Sequence, residues 1–298
     1  MKTGKTTLGS QMPGALILAF ERGYNALPGV IAQDITSWGE LKQVYRELKK
    51  PEVQEVYKSI IIDTVDIAAS LCEKYICNQL DIDTLGDVGY GKGWQAFKKE
   101  FEEVFRGLTQ MGYAVCFISH DKESTISING QEKIIIRPAL GNSSRPIIEN
   151  MADIYGYAQA TVKDGQSVVK LLLRSADNSI SCGCRFRYIK PVIDFTYQAL
   201  VDALNEAIDK EAQATNNKFV TNEKTTLNIT KTYDYDALKE EFQTLVGELM
   251  QKDGNYYQPR ITQIVEQYLG KNKKVTNTTI DQAELIYLIN EGIKAELM

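Results

Sequence analysis

The sequence predicts an α/β protein with a mainly parallel sheet, appended antiparallel hairpins and a small C-terminal helical domain. Three observations predict it. From residue 1 to about 200, short β-branched runs alternate with longer amphipathic stretches, the pattern of βα units. Two Asx-Gly pairs, Asn129-Gly130 and Asp164-Gly165, each sit between apolar runs and read as tight hairpin turns. After a polar stretch, Leu238, Phe242, Leu245 and Leu249 recur at three- and four-residue steps, one face of a helix.

The elements follow in order. Strands are expected at residues 15–20 (ALILAF), 59–62 (SIII) and 114–119 (AVCFIS), each an uninterrupted apolar run of the kind buried on both faces. Ser37 with Glu40 has capping-box spacing and opens a helix expected to run to Lys49, before Pro51. Residues 67–80, 94–110 and 194–214 read as further helices. The hairpins pair TISI with KIIIR and YAQATV with SVVKLLL.

These elements assign residues 1–214 to an α/β core, 215–234 to a threonine- and asparagine-rich linker, and 235–298 to the helical domain. In that domain Gly270 ends a second helix, and Thr279 with Gln282 caps a third that carries Leu285, Leu288, Ile289 and Ile293.

Composition excludes several classes. With 43% hydrophobic and 24% charged residues over 298 positions, the chain can bury a sizeable core. Its 34 basic and 39 acidic residues leave a net charge of −5, so nucleic acid could be held only by a local patch. No apolar run approaches the ~18–20 residues a membrane span requires, and the N-terminus lacks a secretory apolar segment. A cytoplasmic location and five reduced cysteines are therefore expected. Cys182-Gly-Cys184 lacks a second ligand pair and reads as a turn rather than a metal site.

The chemistry concentrates at the start of the chain. Lys2-Thr3-Gly4-Lys5-Thr6-Thr7 matches the second half of the phosphate-binding loop G-x-x-x-x-G-K-[ST]. Thr3, Gly4, Lys5, Thr6 and Thr7 are the candidate nucleotide-binding residues: Gly4 lets the backbone approach phosphate, Lys5 reaches the β- and γ-phosphates, and Thr6 offers a hydroxyl to Mg²⁺. Counting back five positions from Gly4 puts the first glycine of the pattern, and the strand before it, ahead of Met1. Either the chain is a fragment, or its loop is built without that glycine.

Three apolar strands then end in a polar group. SIII runs into Asp63, the Walker B pattern, with Asp63 as second Mg²⁺ ligand beside Thr6. ALILAF ends at Glu21, a carboxylate placed to activate water. AVCFIS ends at His120, the only histidine. Functional groups at successive strand ends describe the carboxyl edge where open α/β sheets hold ligands.

In this order KTGKTTL, LILAFE, IIIDTVD, GYGKGW and VCFISH resemble the phage-encoded RecA-like P-loop ATPases, some of which are single-strand-annealing recombinases. The resemblance covers roughly residues 1–160. It implies a RecA-like P-loop NTPase core using ATP and Mg²⁺, with catalytic roles for Lys5 on phosphate, Glu21 on water and His120 as γ-phosphate sensor. It also implies single-stranded DNA as partner, a homo-oligomer, and a phage-infected or prophage-carrying bacterial cell as the setting.

Two segments are candidate DNA contacts. In DVGYGKGW, Tyr90 and Trp94 could stack bases while Lys92 pairs with phosphate. After His120, Lys133, Arg137 and Arg145 are basic, and either arginine could instead serve a neighbouring subunit as an arginine finger. Alternatives are a helicase or packaging motor on the same core, or a non-hydrolysing module whose helical domain recruits a single-strand-binding or replication protein.

Overall fold

The computed structural model describes residues 3–128, 130–163, 165–216 and 233–297. Lys2, the turn positions Asn129 and Asp164, and residues 217–232 of the expected linker lie outside the described residues. The chain divides into two compact units, Met1–Asn222 and Glu223–Met298.

The first unit opens with the short helix α1 (Lys5–Ser10), strand β1 (Ala15–Ala19), strand β2 (Ala32–Asp34), helices α2 (Trp38–Glu47) and α3 (Pro51–Val56), and strand β3 (Ser59–Asp63). Helices α4 (Val65–Leu80) and α5 (Lys92–Gln110) follow, then strand β4 (Ala114–Ile118). The four strands form one parallel sheet in the order β2-β1-β3-β4. Because all run the same way, the residues after β1, β3 and β4 come out on one edge.

The side-chain alternation of a strand sorts this sheet into two faces. Leu16, Leu18, Ile60 and Ile62 enter the larger core with Trp38, Phe101 and Phe105. Ile17, Ala19, Ile61 and Ile118 form the opposite, smaller cluster. Ile60, Ile61 and Ile62 are fully buried, which explains why the run carries no polar alternation. On the larger face the rings of Phe101 and Phe105 meet edge to face at 4.8 Å. α1 covers the smaller face closely: a Cβ on Gly9 would lie 2.8 Å from Ile61 Cγ2.

The remaining strands form sheets of their own rather than extending the parallel one. β5 (Asp121–Ile128) and β6 (Gln131–Pro138) make an antiparallel hairpin. After α6 (Arg145–Met151) and β7 (Ile154–Tyr155), strands β8 (Tyr157–Lys163) and β9 (Gln166–Leu172) pair antiparallel. β10 (Gly183–Cys184) pairs with β7, and β11 (Val192–Asp194) adds to β9, giving the order β11-β9-β8. α7 (Tyr197–Thr215) follows, capped by the Thr196 hydroxyl, which accepts from Ala199 N–H at 3.1 Å.

Several boundaries differ from expectation. α2 ends at Glu47, and Pro51 starts α3 at its first turn, where a missing N–H costs nothing. Ser37 does cap α2, but the Glu40 carboxylate reaches back to Thr36 N–H at 2.7 Å.

In the second unit, two of the three expected helices are one element, α8 (Tyr235–Leu269), with a break in helical geometry at Asp253. The Asp253 carboxylate accepts from Tyr256 N–H at 3.1 Å, which caps the arm beyond the break. α9 (Ala283–Leu297) lies across it, and the expected Thr279–Gln282 capping box is formed just before it. Leu245, Leu249, Ile286, Ile289 and Ile293 make this unit's core. Among the described residues no helix is long and apolar enough to cross a membrane.

Candidate nucleotide site

Four chain segments supply the site, and the parallel sheet brings them together. The first is the turn into α1, where Gly4 takes a left-handed conformation (φ 82) that favours glycine. The first-turn N–H groups of α1 have no partner four residues back within the helix, so they are free to meet an anion. The Lys5 charge reaches both Asp63 and His120, where it only partly offsets the net upward shift that burial gives the first and the Asp66 hydrogen bond gives the second.

Thr6 Oγ1 donates to Asp63 Oδ2 at 2.7 Å, across the start of α1 and the end of β3. Asp63 is 2% exposed, and burial pushes its carboxyl above the usual range while the Thr6 hydroxyl pulls it down. A buried, incompletely compensated carboxylate beside a hydroxyl is an oxygen-donor set suited to a hard cation such as Mg²⁺. Thr3 Oγ1 is likewise buried with no hydrogen-bond partner among the described residues. The residues present fit a magnesium-nucleotide group.

Glu21 lies two residues past the buried end of β1, and Phe20 N–H and Glu21 N–H both donate to Asp63 O, at 2.7 and 3.3 Å. A Cβ on Gly23 would sit 3.7 Å from both Glu21 Oε1 and Thr6 Oγ1. Gly23 therefore borders the space between those two groups.

His120 Nε2 stands 3.7 Å from Glu21 Oε2. On its other side Nδ1 meets Asp66 Oδ2 at 2.8 Å, and the backbone N–H of His120 donates to Asp66 Oδ1 at 3.1 Å. The Asp66 hydrogen bond raises the His120 pKa above the ordinary value, with burial opposing. Asp66 was not among the sequence candidates. Its signal was the second acid of IIIDTVD, in the first turn of α4, but its partner is 54 residues away.

Lys5, Thr6, Glu21, Asp63 and His120 thus converge, with Thr3, Gly4 and Thr7 at the turn beside them. The DNA candidates lie elsewhere. Tyr90 is 98% exposed in a left-handed conformation (φ 58), and Lys92 is exposed at the start of α5. Trp94 is 41% exposed and packs edge to face on Phe97 at 6.4 Å. Gly93 serves packing, since a Cβ there would fall 2.4 Å from Leu85 O.

Trp94 and Asp66 line one cleft of about 500 Å³, together with residues 139–144. Lys133 is on β6 and donates to Asp177 O. Arg137, also on β6, has its Nε buried without a partner among the described residues. Arg145 opens α6, 3.8 Å from Glu149.

Comparison with known proteins gives the family. The chain is 29% identical over 301 residues to the SPbeta prophage-derived uncharacterized protein YorG of Bacillus subtilis (strain 168), covering 98% of this chain and 89% of that protein. Residues 1–185 match the family model described as an AAA domain, and the chain belongs to that family.

Proposed function

We propose that this chain is an ATPase that binds ATP with Mg²⁺ and uses it to control binding of single-stranded DNA in phage recombination or replication. The observation that carries the reading is the convergence of the Thr6–Asp63 pair and the Glu21–His120 pair at one edge of the sheet. Lys5 would hold phosphate oxygens, and Thr6 and Asp63 would hold the metal. Mg²⁺ bound there would neutralise phosphate charge. Glu21 would orient a water and accept its proton, and His120 would meet the γ-phosphate end of the site.

The DNA part rests on the placement of Trp94 and on a motif order that resembles that of RecA-like annealing ATPases. Asp66 touches His120 on one side and lines the Trp94 cleft on the other, a physical route from phosphate occupancy to a base-stacking surface. On this reading the protein would work in the cytoplasm of an infected or prophage-carrying cell, as a homo-oligomer. The helical unit would recruit a single-strand-binding or replication protein.

A fluorescent-ATP titration tests the site: Lys5→Ala should abolish binding, and Asp63→Asn should remove its Mg²⁺ dependence. Unchanged titrations for both would end the assignment.

A further inference from the structure

We propose that the cleft between α1 and the β8–β9–β11 sheet holds the nucleoside of the bound nucleotide, with the Phe195 ring as the surface on which the base lies. This rests on residues 4–7 being the phosphate site. The cleft measures about 370 Å³, within the range of small-molecule sites, and is lined by Thr3, Gly4, Thr7, Leu8 and Gln11 on one side and residues 169 and 194–196 on the other.

The helix itself sets the direction. Gly4, Thr7, Leu8 and Gln11 follow the spacing that puts residues on one face of a helix. Thr6 faces elsewhere, onto Asp63. A phosphate chain lying across the start of α1 from Thr6 to Thr7 therefore runs from the Glu21–His120 end toward this cleft.

The walls suit a flat base attached to a polar sugar. Leu8, Val169 and the half-buried Phe195 are apolar. Phe195 is held in place, since its N–H donates to Val169 O at 3.3 Å and its ring packs against the core beneath α7. Polar groups stand around them: Thr3 Oγ1, buried and unpartnered among the described residues, and the exposed carboxylate of Asp194, one oxygen of which is engaged by Lys170. At the far end Gln11 Oε1 accepts from Tyr197 N–H at 3.3 Å, which ties α1 to the start of α7.

Calorimetric titration of the full chain with ATP and with inorganic tripolyphosphate separates the cleft from the phosphate site. Wild type should bind ATP more tightly than tripolyphosphate. Phe195→Ala should weaken ATP at least about five-fold, the lower end for an aromatic that stacks a base, and leave tripolyphosphate within about two-fold.

Val169→Trp, which fills the cleft from the sheet side, should do the same by exclusion, and it carries the test if Phe195→Ala melts early. ATP binding unchanged in variants that keep the wild-type melting temperature overturns the proposal. So does a parallel loss of both ligands, or a wild type that prefers tripolyphosphate, which would leave the phosphate site standing without a nucleoside site. Wild type that binds neither ligand ends the phosphate-site reading, and the nucleoside site falls with it.

Discussion

The Asp66 carboxylate grips His120 at two points, its backbone N–H at 3.1 Å and its ring Nδ1 at 2.8 Å, and so aims Nε2 at Glu21. The ring faces two acids, Asp66 and Glu21, and the opposing cation Lys5, and the Asp66 hydrogen bond dominates to raise its pKa. A histidine whose folded pKa is raised contributes stability that is complete below the unfolded value, about 6.5, and is lost as pH rises through the folded value. Because this is the only histidine, one proton-NMR titration reads it without ambiguity. Its midpoint should lie above that of a free histidine, and Asp66→Asn should lower it. A midpoint that ignores Asp66→Asn would show that the grip does not set the protonation.

Glu21 should separate binding from turnover. Its backbone N–H bonds Asp63 O, a contact that Glu21→Gln retains, so the substitution leaves the sheet edge intact. Loss of a positioned general base typically costs ~10²–10⁴-fold in rate. Phosphate release should fall by that order while ATP affinity stays. Affinity and turnover falling together would make the residue structural.

Gly9 should tie the fold to the site. Its missing Cβ lets α1 rest on Ile61, and a methyl placed 2.8 Å from Ile61 Cγ2 must displace either that side chain or the helix. Overpacking of this kind costs roughly 1–3 kcal/mol. Gly9→Ala should therefore lower the urea midpoint and, by moving Thr6 away from Asp63, weaken Mg²⁺-dependent ATP binding. A variant as stable as wild type would mean that α1 is not seated on Ile61.

What the sequence showed and hid has a physical pattern. β1 and β3 were legible because strands buried on both faces must be apolar throughout, and the acids after them stand out against that run. β4 is a half-buried edge strand, yet its AVCFI run is still apolar enough to set off His120. β2 was missed because Ala32, Gln33 and Asp34 form a short, partly exposed edge strand with no apolar signature. α3 was missed because Pro51 serves equally as a helix stop or a helix start. In α8 an apolar stripe continues on both sides of Asp253, with Leu245 and Leu249 before it and Ile261, Val265 and Leu269 after it, so nothing in the apolar spacing separates one broken helix from two. Asp66 and the Phe195 cleft depend on contacts between distant segments, which local pattern cannot report.

DNA binding makes the widest prediction, because the candidate residues lie in unlike environments. With net charge −5, affinity must come from a local surface joining base stacking to phosphate pairing. Tyr90 is nearly fully exposed, so Tyr90→Ala removes a ring without disturbing a core. Trp94 leans on Phe97, so its variant counts only if the melting temperature holds. Stacking is worth ~1–3 kcal/mol per base, so loss of a true stacking ring should weaken single-strand affinity at least several-fold with the salt slope unchanged. Removing Lys92 should instead lower the salt slope by about one counterion's share. Lys133 and Arg137 sit on the β5–β6 hairpin and Arg145 opens α6, with Arg137 and Arg145 each holding a buried, unpartnered nitrogen among the described residues. Their substitution should reduce the slope only if this face also touches the strand. Filter binding at several salt concentrations, with and without ATP, reads all of these, and Asp66→Asn should uncouple the ATP effect by releasing His120. Wild type showing no salt-dependent affinity for single strands would remove DNA from the function and leave an ATPase whose helical unit binds a protein partner.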